Sequence, residues 1–169
     1  MTQQEFERIV NSKKSELQKY FSGRMQKKVG ATALAWYKHH YIEEEYYENG
    51  WKKWKKPKRW NENGSTSQRY GTLLSKRQHL FRSIKYRVTG TGAELYTYVP
   101  YAKMHNEGGT IRLRGTSRAS RRATSWADAV GFQGSSVKIP RRPFLYPNEE
   151  VKKEVLKKVK SDIIRILKS

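Results

Sequence analysis

"VKIPRRPFLYPNEE", residues 137–150, decides how the chain is read. Val137 to Ile139 has strand character, and Pro140 ends it. Pro140 and Pro143 hold φ near about −65° and withhold two amide donors, so the backbone leaves the strand in one defined direction. Phe144 and Leu145 then supply an apolar anchor. Asn148 is a good N-cap, and Glu149 and Glu150 suit the positive end of a helix dipole. Beyond the cap, Val151, Val155, Val159, Ile163 and Leu167 recur every four residues, and Leu156, Ile164 and Ile166 widen the stripe. Lys152, Lys153, Lys157, Lys158 and Lys160 take the other side. This is an amphipathic C-terminal helix. Arg141 and Arg142 project from a stiff bend and lose little entropy on pairing. They suit a carboxylate on a neighbouring molecule, or stand as solvated cations beside a rigid turn.

Upstream the period changes. "SIKYRVTGTGAELYTYVP", residues 83–100, holds two strand-like runs around Thr89-Gly90-Thr91-Gly92, a β-hairpin signal in which glycine supplies positive φ. "YAKMHNEGG", residues 101–109, reads as a short helical turn closed by Gly108-Gly109. Residues 110–136 are rich in Arg, Ser, Thr and Gly, and read as a long basic loop or arm inserted between strands. Before the hairpin, Leu73, Leu74, Arg77, Leu80, Phe81 and Ile84 suggest a short amphipathic helix.

The N-terminal segment, residues 1–48, is helical in pattern. Thr2 with Glu5 is a capping box, and Phe6, Ile9, Val10, Leu17, Tyr20 and Phe21 share roughly one face. Gly23 and Gly30 weaken or bend that helix. A second helix carries Ala33, Leu34, Trp36, Tyr37, His40 and Tyr41, and stops at Asn49-Gly50. "WKKWKKPKRW", residues 51–60, is cationic and rich in tryptophan, and Pro57 argues against a continuous helix or central strand. Residues 61–68 form a polar loop whose Asn63-Gly64-Ser65 sequon reads as a plain turn. The sum is an α+β fold: a small antiparallel sheet flanked by N-terminal helices and a C-terminal amphipathic helix, organised as a single domain over 1–169.

Composition bounds the chemistry. The 169 residues carry a formal charge of +21 and a mean hydropathy of −0.96. A small core with polar excursions follows, and an attraction to polyanions or acidic surfaces. With no cysteine, disulfides, thiolate metal sites and cysteine nucleophiles are excluded. No secretory h-region opens the chain, and no apolar run reaches membrane-spanning length. No P-loop, GxSxG or HExxH stretch is present. His39-His40 point in different directions on a helix and make a poor metal pair. His105 could act as a base with nearby cations in a small ribonuclease, or simply hold a turn. The run Glu43 to Glu48 reads as an exposed acidic helix end or a contact for a basic neighbour.

The basic stretches carry more. Trp51 and Trp54 with Lys55, Lys56 and Trp60 are either stacking platforms in a cationic groove or core and interface anchors. Arg112, Arg114, Arg118, Arg121 and Arg122 can bind phosphates without reading bases, or order against an acidic protein surface.

Four stretches together resemble the phage virion morphogenesis proteins, the tail completion family of the Mu and P2 type. They are "GWKKW" at residues 50–54, "TLLSKRQHLFRSIKY" at 72–86, "YAKMHNEGG" at 101–109 and "IPRRPFL" at 139–145. Order and spacing agree over roughly 50–167, and "IPRRPFL" after "YAKMHNEGG" is the specific pair. The chain departs from the family pattern at Lys76-Arg77-Gln78-His79, at Tyr146 where glycine is usual, and in its long Arg-rich insertion. The resemblance implies a structural virion protein of the tailed-phage neck, without enzymatic activity, cofactor or metal. It implies partners on three sides: other copies of the chain in a ring, portal- or connector-side proteins, and tail-tube-side proteins. Genomic DNA in the channel is a further possible contact, and no membrane is involved. Assembly would occur in the host cytoplasm, and the protein would end in the virion. The alternative from another class is a basic nucleic-acid-binding protein.

Overall fold

The computed structural model describes residues 2–56, 71–74, 77–129 and 133–169. Trp60, Pro57, the 61–68 loop with its sequon, and Lys76 lie outside the described residues.

The capping box forms as expected. Thr2 Oγ1 accepts from the Glu5 amide at 3.2 Å, and Glu5 Oε2 accepts from the Thr2 amide at 2.7 Å. Helix α1 (Gln3–Lys19) runs into a π turn at Tyr20–Arg24 and then into α2 (Met25–Ile42). Gly23 sits in that turn with φ 165°, so the expected weak point is a π-bulge. The Gln26 side chain donates to the Phe21 carbonyl at 3.0 Å, satisfying one acceptor in this irregular turn.

The second helix was expected to reach Asn49-Gly50, but α2 ends at Ile42. Strands β1 (Glu45–Tyr47) and β2 (Trp51–Lys53) pair antiparallel, with Tyr47 opposite Trp51. Asn49 (φ 54°) and Gly50 (φ 120°) form the turn between them. Asn-Gly is as strong a hairpin signal as a helix stop, because both residues tolerate the left-handed region.

The helix expected around Leu73 to Ile84 shrinks to α3 (His79–Ser83), which starts after Gln78 at φ 49°. Leu73 and Leu74 still pack on the core. The predicted hairpin is β3 (Lys85–Val88) and β4 (Ala93–Tyr96), closed by the Thr89 amide to the Gly92 carbonyl at 2.9 Å. Neither Gly90 nor Gly92 takes a left-handed φ. Next come α4 (Ala102–Glu107), ended by Gly108 at φ 76°, and β5 (Gly109–Arg112). β5 pairs antiparallel with β6 (Ser136–Ile139), and α6 (Glu149–Lys168) starts at Asn148, whose Oδ1 accepts from the Glu150 amide at 2.8 Å.

Between β5 and β6 the chain is not the expected loop: Arg118–Ala129 is helix α5. Serines and threonines start and hold it. Ser117 Oγ accepts from the Ser120 amide at 3.0 Å, Ser120 Oγ accepts from the Gly115 amide at 2.7 Å and donates to the Arg112 carbonyl, and the Arg114 amide donates to Thr124 Oγ1 at 2.6 Å. Local polar bonding holds its start, and Ala119, Ala123, Trp126 and Ala127 recur at i, i+4, i+7 and i+8, a helical period hidden by the polar composition that reads as a loop.

The α+β class stands. Among the described residues the single small sheet is instead three two-stranded antiparallel ribbons. α2 is the spine, packing on α6 and on the β3–β4 ribbon. One core cluster gathers Tyr41, Trp54, Leu80, Ile84, Val99, Ala102 and Phe144, and a second gathers Ala33, Tyr37 and Val151. Gly30 permits the closest approach of α2 to β3: a Cβ there would lie 2.6 Å from Tyr86 Cε2. Gly30→Ala should therefore destabilise, because overpacking costs about 1–3 kcal/mol against ~1 kcal/mol of gained helix propensity. A urea midpoint above that of the parent would show that Tyr86 swings aside freely.

Candidate interaction site

The segment after β6 is held by the α4 turn. Asn106 Oδ1 accepts from the Phe144 and Leu145 amides, each at 2.9 Å, and its Nδ2 donates to the Leu145 carbonyl at 2.7 Å. The Arg142 amide donates to the His105 carbonyl at 2.8 Å. Gly108 lets the strand pass, since a Cβ there would lie 2.8 Å from the Arg141 nitrogen. From the other side, Trp54 Nε1 donates to the Pro143 carbonyl at 3.1 Å. The "YAKMHNEGG" and "IPRRPFL" stretches are thus partners in one clamp, which is a physical reason for their occurring together.

Tyr146 joins three elements. Its hydroxyl accepts from the Tyr47 amide at 2.7 Å and from Asn148 Nδ2 at 2.9 Å, and its carbonyl accepts from the Tyr37 hydroxyl. It ties the β1–β2 hairpin to the start of α6.

The clamp separates the paired arginines. Arg142 is 5% exposed and donates from Nε to the Lys55 carbonyl at 3.0 Å, so it does not project to a neighbour. Arg141 points outward, 2.8 Å from Glu48 Oε1 and over the Tyr46 ring. Glu48 also meets Lys52 at 3.0 Å. Arg141 first, then Lys52, holds its carboxyl below the usual range. Lys53 meets Glu45 at 3.0 Å, and Glu44 holds Thr72. The acidic run at 43–48 therefore meets partners within the chain itself.

The tryptophans separate too. Trp54 is 4% exposed and lies among Tyr41 and Phe144, which removes it from any stacking surface. Trp51 is 48% exposed and stacks on His40 at 4.2 Å. Lys55 and Lys56 are exposed beside it. The five arginines at 112, 114, 118, 121 and 122 are all exposed, Arg112 on β5, Arg114 in the turn after it and the other three on α5. Arg114 lies 3.8 Å from Asp128, and Arg121 donates to the Thr116 carbonyl at 2.9 Å. Five exposed cations in the 112–122 stretch suit a polyanion or an acidic protein face. Asn106 was not singled out from the sequence; its only signal is its place inside the motif pair.

His105 lies under the clamp, and its Nδ1 is buried with no hydrogen-bond partner among the described residues. Burial, and then the Arg142 charge, push its pKa below the ordinary value. The unfolded chain takes up this proton below about pH 6.5 while the folded chain does not. Stability linked to His105 is thus full above that pH and falls as pH drops below it. His105→Leu should lose less stability than the parent between neutral and mildly acidic pH in paired urea titrations; equal losses would remove His105 as the cause.

Among the described residues no group of three or more His, Asp or Glu side chains could hold a metal, and no helix is long and apolar enough to cross a membrane. Compared with known proteins, the chain matches the model of the phage virion morphogenesis family over residues 3–168, which extends the likeness to the N-terminal helices. No curated protein and no solved structure matches it.

Proposed function

We propose, for a chain that belongs to the phage virion morphogenesis family, a place at the head–tail junction as a tail completion or neck component. Family membership makes it a protein of phage virion structure and assembly. The finer reading is that it acts by forming a ring with other copies, without catalysis. The ring would lie between connector-side and tail-tube-side proteins and help head and tail to join and DNA to pass. The observation that carries it is the family match over nearly the whole chain. The hydrogen-bonded clamp and the exposed arginines of the 112–122 stretch support it: a tied-down body carrying exposed cations suits docking against acidic rings or channel DNA. The test is peptide mass spectrometry on purified particles of the encoding phage, with copy number. A low, ring-like number per particle is expected; absence from well-purified particles would overturn the reading.

A second reading, direct nucleic-acid binding, draws on the same exposed arginines. It requires affinity to fall by roughly 10³–10⁵ between about 50 and 200 mM salt if six to ten phosphates are contacted. A flat salt dependence would remove it.

A further inference from the structure

Helix α1 packs at its C-terminal end and is exposed over its first turns. Its packing stripe is Lys13, Leu17 and Tyr20, which face the end of α6. The Tyr20 hydroxyl lies 3.3 Å from Asp162, and Lys28 and Arg165 also meet that carboxylate. Lys13 Nζ donates to Ser169 Oγ at 3.0 Å. Beyond that point every residue from 2 to 12 is exposed. The stripe nevertheless continues on the same face as Phe6, Ile9 and Val10, which are 53%, 50% and 45% exposed. Helical spacing sets Glu5 and Glu7 on its two flanks and Arg8 opposite.

A matching face exists elsewhere on the chain. α6 turns its Val151–Val155 side inward, and Leu156, Ile164 and Leu167 are exposed on another side, Leu156 at 66%. The same spacing mingles Lys153, Lys157 and Lys160 with them. One stripe is apolar with acidic flanks, and the other face mixes apolar and lysine side chains. In a chain of net charge +21, an acid-flanked apolar helix face meeting a lysine-rich one is a complementary pair.

We propose that the exposed first three turns of α1 dock on the Leu156–Ile164–Leu167 face of α6 in the next copy of this chain. The contact is heterologous: each copy gives α1 to one neighbour and accepts α1 from the other, which is the geometry that closes a ring. It rests on the ring reading above and supplies that ring with its subunit contact.

The chain has no cysteine, so introduced thiols are the only ones present. Virions carrying the double variant Ile9→Cys/Leu156→Cys are oxidised and run without reductant, beside virions carrying each single variant. Copy number is measured by mass spectrometry on the same particles. The expected result is a ladder of covalent multimers beyond the dimer from the double variant, and monomer from each single variant. Dimers from Ile9→Cys alone would mean that α1 meets α1, overturning the proposal. Monomer alone from the double variant, with a ring-like copy number, would overturn this contact and leave the ring standing. A copy number that is not ring-like would overturn both.

Discussion

Trp54→Ala is expected to lower unfolding free energy by about 3–5 kcal/mol, the range for deleting a buried Trp or Phe side chain. Its indole packs edge-on against Tyr41, ring centroids 5.2 Å apart, in the cluster that also holds Phe144. Its loss opens a cavity at the centre of the larger core cluster and leaves the Pro143 carbonyl without its indole donor. Trp51→Ala, three residues away, should cost only about 0.5–1.5 kcal/mol, the worth of an aromatic pair, because Trp51 is half exposed and rests on His40. Urea unfolding of both variants, followed by circular dichroism, separates the two roles. Equal small losses would return Trp54 to the surface and revive a stacking role for the pair.

Asn106→Ala should cost about 2–5 kcal/mol, because buried groups left without partners cost roughly 1–3 kcal/mol each. The amides of Phe144 and Leu145 and the Leu145 carbonyl all lose their bond at once. The effect should reach further than the turn, since Phe144 belongs to the core cluster and Leu145 bridges both clusters. Asn106→Asp keeps the acceptor and loses the donor, and should fall between the parent and Asn106→Ala. The check is the midpoint and cooperativity of thermal melts. An Asn106→Ala melt that overlays the parent would mean that water takes over the three bonds and that the clamp is held by packing alone.

Both predictions concern residues whose importance was only partly legible. Trp54 was visible as an anchor or a platform, and the sequence could not choose, because spacing in a strand and turn does not say which side faces the core. Arg141 and Arg142 were read as a matched outward pair. The bend turns one to Glu48 and buries the other against the Lys55 carbonyl, 87 residues earlier in the chain. Asn106 carried no signal of its own, since a side chain that bonds backbone 38 and 39 residues on leaves no local pattern.

By itself the sequence determined the elements whose causes are local: the Thr2–Glu5 capping box, the β3–β4 hairpin, the glycine-closed α4 turn, the β6 strand ended by Pro140 and the Asn148-capped C-terminal helix. Each rests on hydrogen bonds or φ preferences spanning a few residues. Tertiary structure alone decided what depends on groups far apart in the chain. The β1–β2 hairpin took Asn49-Gly50 from the helix before it, and Tyr146 bonds the backbone of that hairpin. Serine and threonine bonding, running back to the Arg112 carbonyl, holds the start of α5 in a stretch whose polar composition reads as a loop. The apolar stripe of α1 was written in the sequence from its first turn. Only the tertiary structure showed that Phe6, Ile9 and Val10 stay exposed while Leu17 and Tyr20 are covered, because which part of a stripe is buried is set by packing against a distant element and not by the period of the helix.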